Sequence, residues 1–167
     1  MLNDGLKLTG KLSIAINNEV VQEIPNLVVT AGKGYVASRM KDATATAMSH
    51  MGIGTGSTAA AASNTTLGTE AGRVTLTSTT VSSNEVEYVA TFAAGTGTGA
   101  ITEAGILNAS SGGTLLCRTV FSVVNKGSSD AMTITSEKIK VLNELLGETA
   151  TLRPGSGATI SWTVTVS

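Results

Sequence analysis

Aromatic side chains are scarce in this chain: one tryptophan, two tyrosines and two phenylalanines, 3% of 167 residues. A core must therefore come from Val, Leu, Ile, Ala and Met, within a hydrophobic share of 41%. Charge is scarce too. Charged residues make up 14%, against about 25% in an average soluble domain. With a net charge of −1 and no basic face, binding to nucleic acid through counterion release is not expected. The single cysteine, Cys117, excludes an intrachain disulfide. Its neighbours Leu115, Leu116 and Val120 mark it as a small buried hydrophobe rather than a reactive thiol. No apolar run approaches the ~20 residues of a membrane-spanning helix. The start, MLNDGLKLTG, lacks the basic and apolar regions of a signal peptide, so folding in the cytoplasm is expected.

What is present is strand signal. The length fits one domain of roughly 100–200 residues. Leu6, Leu8, Leu12, Ile14 and Ile16 alternate with polar or small residues, the period of a strand with one buried face. Asn17-Asn18 can adopt the positive φ of a tight turn, returning EVVQEI as a second hairpin arm. Pro25-Asn26 is expected to break that arm before LVVT. Tyr35, Val36, Arg39 and Met40 recur at helical spacing, predicting a short helix over residues 33–41. AMSHMGIG, VTLTSTTV, EVEYVATFA, AITEAGILNA, TLLCRTVFSVV, AMTIT and ATISWTVTV read as further strands, separated by SSN, GTGTG, SSGG and NKGSSD turns. Their spacing predicts an antiparallel sandwich or barrel. SEKIKVLNELLGE departs from the pattern. Ile139, Leu142, Leu145 and Leu146 fall at helical spacing, with Ser136 placed to cap and Gly147 to stop a helix over 136–146. The competing reading runs TITSEKIKVL on as one long strand.

Chemistry-bearing motifs are few. MGIGTGST, with Gly52, Gly54 and Gly56, looks superficially like a phosphate loop. The third glycine comes one residue early for a dinucleotide fingerprint, and no Gly-Lys-Ser/Thr follows. It is expected to be a loop leaving a strand, opening a long small-residue connection over residues 55–69, a length typical of functional or mobile loops. His50, the single histidine, has no G-x-S-x-G elbow to serve. Zinc would need more His or Cys ligands than His50 and Cys117, and no calcium loop is present. Glu85 and Glu87 share one strand face, and Glu103 is expected on a neighbouring strand. Such carboxylates could cleave a glycosidic bond, but a solvated or edge-guarding face is the simpler reading. No catalytic, cofactor or metal residue is assigned.

Several segments together resemble a known group. These are H-M-x-I-G-T-G at 50–56, T-x-L-G-T-E-x-x-R at 65–73, Y-x-A-T-F at 88–92, I-T-E-x-G-I-x-N-A-S-S-G-G-T at 101–114, R-T-V-F at 118–121 and W-T-V-T-V at 162–166. The pattern resembles small all-β virion structural proteins of tailed bacteriophages, of capsid decoration (cement) or tail-fibre type. DGLKLTG…NLVVTAGKGYVASRM is similar to the group's N-terminal part. In that group T-I-T tends to run straight into W-T-V-T-V, so SEKIKVLNELLGETATLRPGSGA reads as a local addition.

The expectations are then concrete. The fold is all-β: one antiparallel β-sandwich of jelly-roll type over residues 1–167, with one or two short helices and an inserted arm at 136–158. Val86, Tyr88, Phe92, Ile101, Leu116, Val120, Trp162 and Val164 are expected in its core. The resemblance implies a non-enzymatic capsid decoration protein that stabilises the shell, made in the host cytoplasm and located in the virion. The alternative is a tail-fibre or tail-adaptor component, and a minor one is a carbohydrate-binding or glycoside-cleaving module. A fibre protein would usually be longer, and a 167-residue chain with its own Met is expected to be a complete unit. The implied partners are the chain itself, as dimer or trimer, and the major capsid protein or tail proteins, with no nucleic acid, membrane or cofactor. Ile139, Leu142, Leu145 and Leu146 are the expected interaction arm.

Overall fold

The computed structural model describes residues 5–40, 46–144 and 165–166. In chain order the elements are β1 (Gly5–Ile16), β2 (Glu19–Val28), α1 (Thr30–Met40), β3 (His50–Gly54), β4 (Glu70–Thr75), β5 (Ser78–Ser82), β6 (Glu85–Phe92), β7 (Gly99–Leu107), β8 (Leu115–Lys126), β9 (Met132–Glu144) and β10 (Thr165–Val166). The opening hairpin turns at Asn17 and Asn18, with φ of 49° and 72°, the left-handed conformation that asparagine tolerates and a tight hairpin requires.

The strands pair in the order β4-β3-β7-β8-β2-β1-β9-β6-β5, and β10 joins the start of β1 in parallel. All other pairings are antiparallel. β4 and β5 stand at opposite ends of this order, yet only Leu76 and Thr77 separate them in the chain. The Leu76 amide donates to the Ser49 carbonyl at 2.9 Å, prolonging the β3 side, and the Thr77 amide donates to Val89 of β6 at 2.7 Å. The sheet therefore curls until its two ends meet in one chain segment. β2 turns the opposite corner: Glu19 to Asn26 pair with β1, and Leu27 and Val28 pair with β8.

The curl encloses an apolar core. Ile14, Met51, Ile53, Phe92, Ile101, Met132 and Ile134 are fully buried, and each such side chain stabilises the fold by about 1.5–3 kcal/mol. Phe92, Ile101 and Leu116 thus lie in the core as expected, and Tyr88 packs against it half-buried. Val86 and Val120 are only half-buried. Trp162 and Val164 lie outside the described residues. The expected helix is α1, beginning at Thr30, with Tyr35 and Val36 packed on the core.

Three expectations are corrected. Residues 132–144 form a single strand, so the helix expected over 136–146 is absent as far as Glu144. β9 runs between β1 and β6 and pairs with both; two ladders of long-range hydrogen bonds outweigh a local helical spacing. Ile139 stands opposite Val86 and Leu142 opposite Lys7, so 136–144 belongs to a strand paired on both sides. Leu145, Leu146 and the rest of the expected arm to residue 158 lie outside the described residues. Secondly, Pro25 does not break β2, which continues through it. Among the described residues β2 has no pairing on its second edge before Leu27, and proline is tolerated on such an edge. Thirdly, VTLTSTTV is divided between β4 and β5, because this is where the chain passes from β3 to β6.

Candidate functional site

The long connection after β3 is held over the outer face of β7 and β8 by one carboxylate. Glu103 of β7 is fully buried, with 0% exposure, and Arg118 of β8 is 2% exposed. The register sets Gly105 opposite Arg118 and Glu103 opposite Val120, so the two side chains are diagonal neighbours on one face. Arg118 Nε donates to Glu103 Oε2 at 2.8 Å. Three loop amides complete the shell: Gly56 (2.9 Å) and Thr69 (2.7 Å) donate to Oε1, and Gly68 (2.9 Å) donates to Oε2. The Arg118 Nη1 donates to Asn64 Oδ1 at 3.0 Å, tying down the middle of the loop. Asn64 Oδ1 also accepts from the Ala61 amide at 2.8 Å. Arg118 Nη2 is buried without a hydrogen-bond partner among the described residues.

The backbone donors of this glycine-rich loop do cradle an anion, and that anion is the protein's own Glu103. A Cβ on Gly56 would collide with Glu103 Oε1, and one on Gly54 would collide with the Thr69 carbonyl. Glycine is needed at both positions so that backbone can close on the carboxylate.

The electrostatics follow from the same contacts. Burial pushes the Glu103 carboxyl up, but the Thr69 and Gly68 amides, the Arg118 guanidinium and the Gly56 amide together hold it below the ordinary value of 4.5. It is ionised at neutral pH, its two oxygens accept four hydrogen bonds, and it reaches no solvent. In this position it binds a loop.

The remaining candidates are dispersed. Glu85 and Glu87 lie on β6, and β6 is flanked by β9 and β5, whereas β7 is flanked by β3 and β8. The expectation that Glu103 stands on a strand neighbouring theirs is therefore corrected. His50 Nδ1 meets Ser49 Oγ at 2.8 Å at the start of β3. Cys117 is buried, and burial pushes its thiol up to about 12, so it is a packed thiol at neutral pH. Among the described residues no three His, Cys, Asp or Glu gather as a metal site, and no helix is long and apolar enough to cross a membrane.

Sequence reasoning named Glu103 and the glycines but missed Arg118 and Asn64. A signal was available for Arg118: it lies across the SSGG turn from Glu103, on the paired strand of the same hairpin. Asn64 gave none, because its role depends on how a loop folds back.

Two further clamps use the same chemistry. Arg73 of β4 forks onto both oxygens of Glu70, at 2.8 and 2.6 Å, and its Nη1 donates to the Ala109 and Gly112 carbonyls at 2.9 Å each. Lys126, 1% exposed, donates to the carbonyls of Ala93 and Asp130 at 3.0 and 2.7 Å. Asn17 of the first hairpin turn donates to Asp130 and accepts from the Ala131 amide. Turns far apart in sequence are stitched together. No family model, no curated protein and no solved structure matches the chain.

Proposed function

We propose that this chain is a non-enzymatic structural protein of a tailed-bacteriophage virion, a capsid decoration (cement) protein that binds and stabilises the shell in symmetric copies. One observation carries the reading. The separate segments that resemble such proteins supply the Glu103 latch between them: Gly54 and Gly56 from the first, Gly68 and Thr69 from the second, Glu103 from the fourth and Arg118 from the fifth. A pattern scattered over the sequence is thus one mechanical unit, and its charged groups are committed to holding a surface loop in shape. That is a requirement of a rigid module that meets a lattice of neighbours, and it leaves little for catalysis.

The same reading takes the curled sheet as a sandwich of jelly-roll type. Its support is the pair of corners, at β2 and at the β4–β5 segment, where the chain passes from pairing with one strand to pairing with another. The second reading, a tail-fibre or tail-adaptor component, rests on the same resemblance. Quantitative mass spectrometry of purified particles separates them. A cement protein is found in a fixed ratio to the major shell protein. A tail component is found at a few copies per particle, and absence from particles overturns both.

A further inference from the structure

We infer that β5 is a self-pairing edge, which joins two copies of this chain antiparallel across a two-fold axis at Thr80. The inference rests on the self-association in the reading above, and not on the virion itself.

A sheet edge left open is normally guarded by charge, proline or a bulge. Two other open edges among the described residues are guarded. β4 carries the Glu70–Arg73 pair and an irregular register against β3. The gap between β2 and β8 is spanned by Gln22, whose Nε2 donates to the Ser122 carbonyl at 2.7 Å, and β2 carries Glu19, Glu23 and Pro25 along it.

β5 has none of these devices. Its sequence is STTVS, all five residues are exposed, and its register with β6 runs without a bulge. From Thr75 to Asn84 the chain, TLTSTTVSSN, contains no charged residue and no proline. Among the described residues β5 pairs with β6 alone. Val81 is 70% exposed, the most open of the large hydrophobics in the described structure.

The occupant follows from the sequence of the edge. With a two-fold axis at Thr80, Thr80 faces its own copy, Thr79 faces Val81, and Ser78 faces Ser82. Every cross-strand pair is Thr–Thr, Thr–Val or Ser–Ser, combinations that stabilise antiparallel sheets, and no like charges meet. The contact is isologous and closes at two copies. The sheet would run on from one molecule into the next, β6-β5-β5-β6. Five residues form a small contact, so the dimer is expected to build up with protein concentration.

The test exploits the buried Cys117, which leaves an added surface thiol as the reactive one. Thr80→Cys is treated with a short bismaleimide over a concentration series, beside Thr58→Cys, an exposed position on the distant loop. Covalent dimer from T80C alone, lost when Val81→Lys is added and like charges are brought together at the edge, is the expected result. Circular dichroism checks that all three variants keep the sheet. Equal cross-linking of T80C and T58C, or none from T80C, overturns the inference. If sedimentation shows a dimer while T80C does not cross-link, self-association stands and the β5 interface falls.

Discussion

At the scale of single residues the molecule turns on Glu103. Replacing it with glutamine keeps the shape but leaves the Arg118 guanidinium buried without a counter-charge. Removing one member of such a buried pair costs about 3–5 kcal/mol, and urea unfolding of E103Q measures it. The pH dependence has a definite sign. Because the folded carboxyl is held below 4.5, its contribution is present above that value and is lost as pH falls through the lowered folded value. Asp130 is also lowered, mainly by the Asn17 side chain, so Glu103 is not alone in losing a contribution in acid. The difference between the wild-type and E103Q stability curves isolates Glu103, and it should shrink as the pH falls below 4.5. Cys117 supplies an independent probe. Buried, and with its thiol pushed up to about 12, it should react with a thiol reagent only on unfolding; labelling at the rate of a free thiol in native buffer would contradict the packing. At this scale the sequence was partly legible. Asn17-Asn18 announced its turn because positive φ is a local property. The role of Glu103 was hidden, because its amide donors lie 34, 35 and 47 residues away.

At the scale of elements β9 is the decisive strand. Thr135 stands opposite Ser13 of β1 and Val89 of β6. Thr135→Pro removes a donor from a strand paired on both sides and should destabilise the protein by at least about 1–3 kcal/mol, the cost of leaving a buried acceptor unsatisfied, with loss of strand signal in circular dichroism. Had residues 136–146 been a helix, position 135 would precede its cap and proline would be harmless there; wild-type stability of T135P would restore that reading. Pro25 is the natural contrast, tolerated because among the described residues β2 lacks a partner on one edge at that point. The misreading of β9 has a physical cause. Two residues of β9 oppose one residue of each neighbour near 137–139: Gly10 of β1 falls between the pairs made by Glu137 and Lys140, and Glu87 of β6 between those made by Ser136 and Ile139. A bulge shifts the alternation by one. Apolar residues accordingly fall on even positions at 132 and 134 and on odd positions at 139 and 141. That shift hides the alternation of one continuous strand, and Leu142, out of phase with Ile139 and Val141, adds a helical spacing to Ile139. The strands without such a shift in phase, β1, β3 and β6, were legible from their alternation and turn residues. Strand order was not, since a corner such as Leu76–Thr77 depends on which distant strands are within reach.

At the scale of the whole molecule the protein is a small, curled β module, turned at two corners and stiffened by a buried ion pair on the outer face of β7 and β8, beneath the latched loop. The 55–69 loop is latched to Glu103, and among the described residues the least guarded edge is β5. Such a body suits a role in which the protein is an added part of a larger surface. The central claim is that it stabilises a phage shell by binding it, and the most direct measurement is the temperature at which shells open, read with and without the purified protein on particles that lack it. The account predicts a rise that saturates at a fixed ratio of this chain to the shell protein. An unchanged opening temperature, with the protein left unbound in solution, would contradict it.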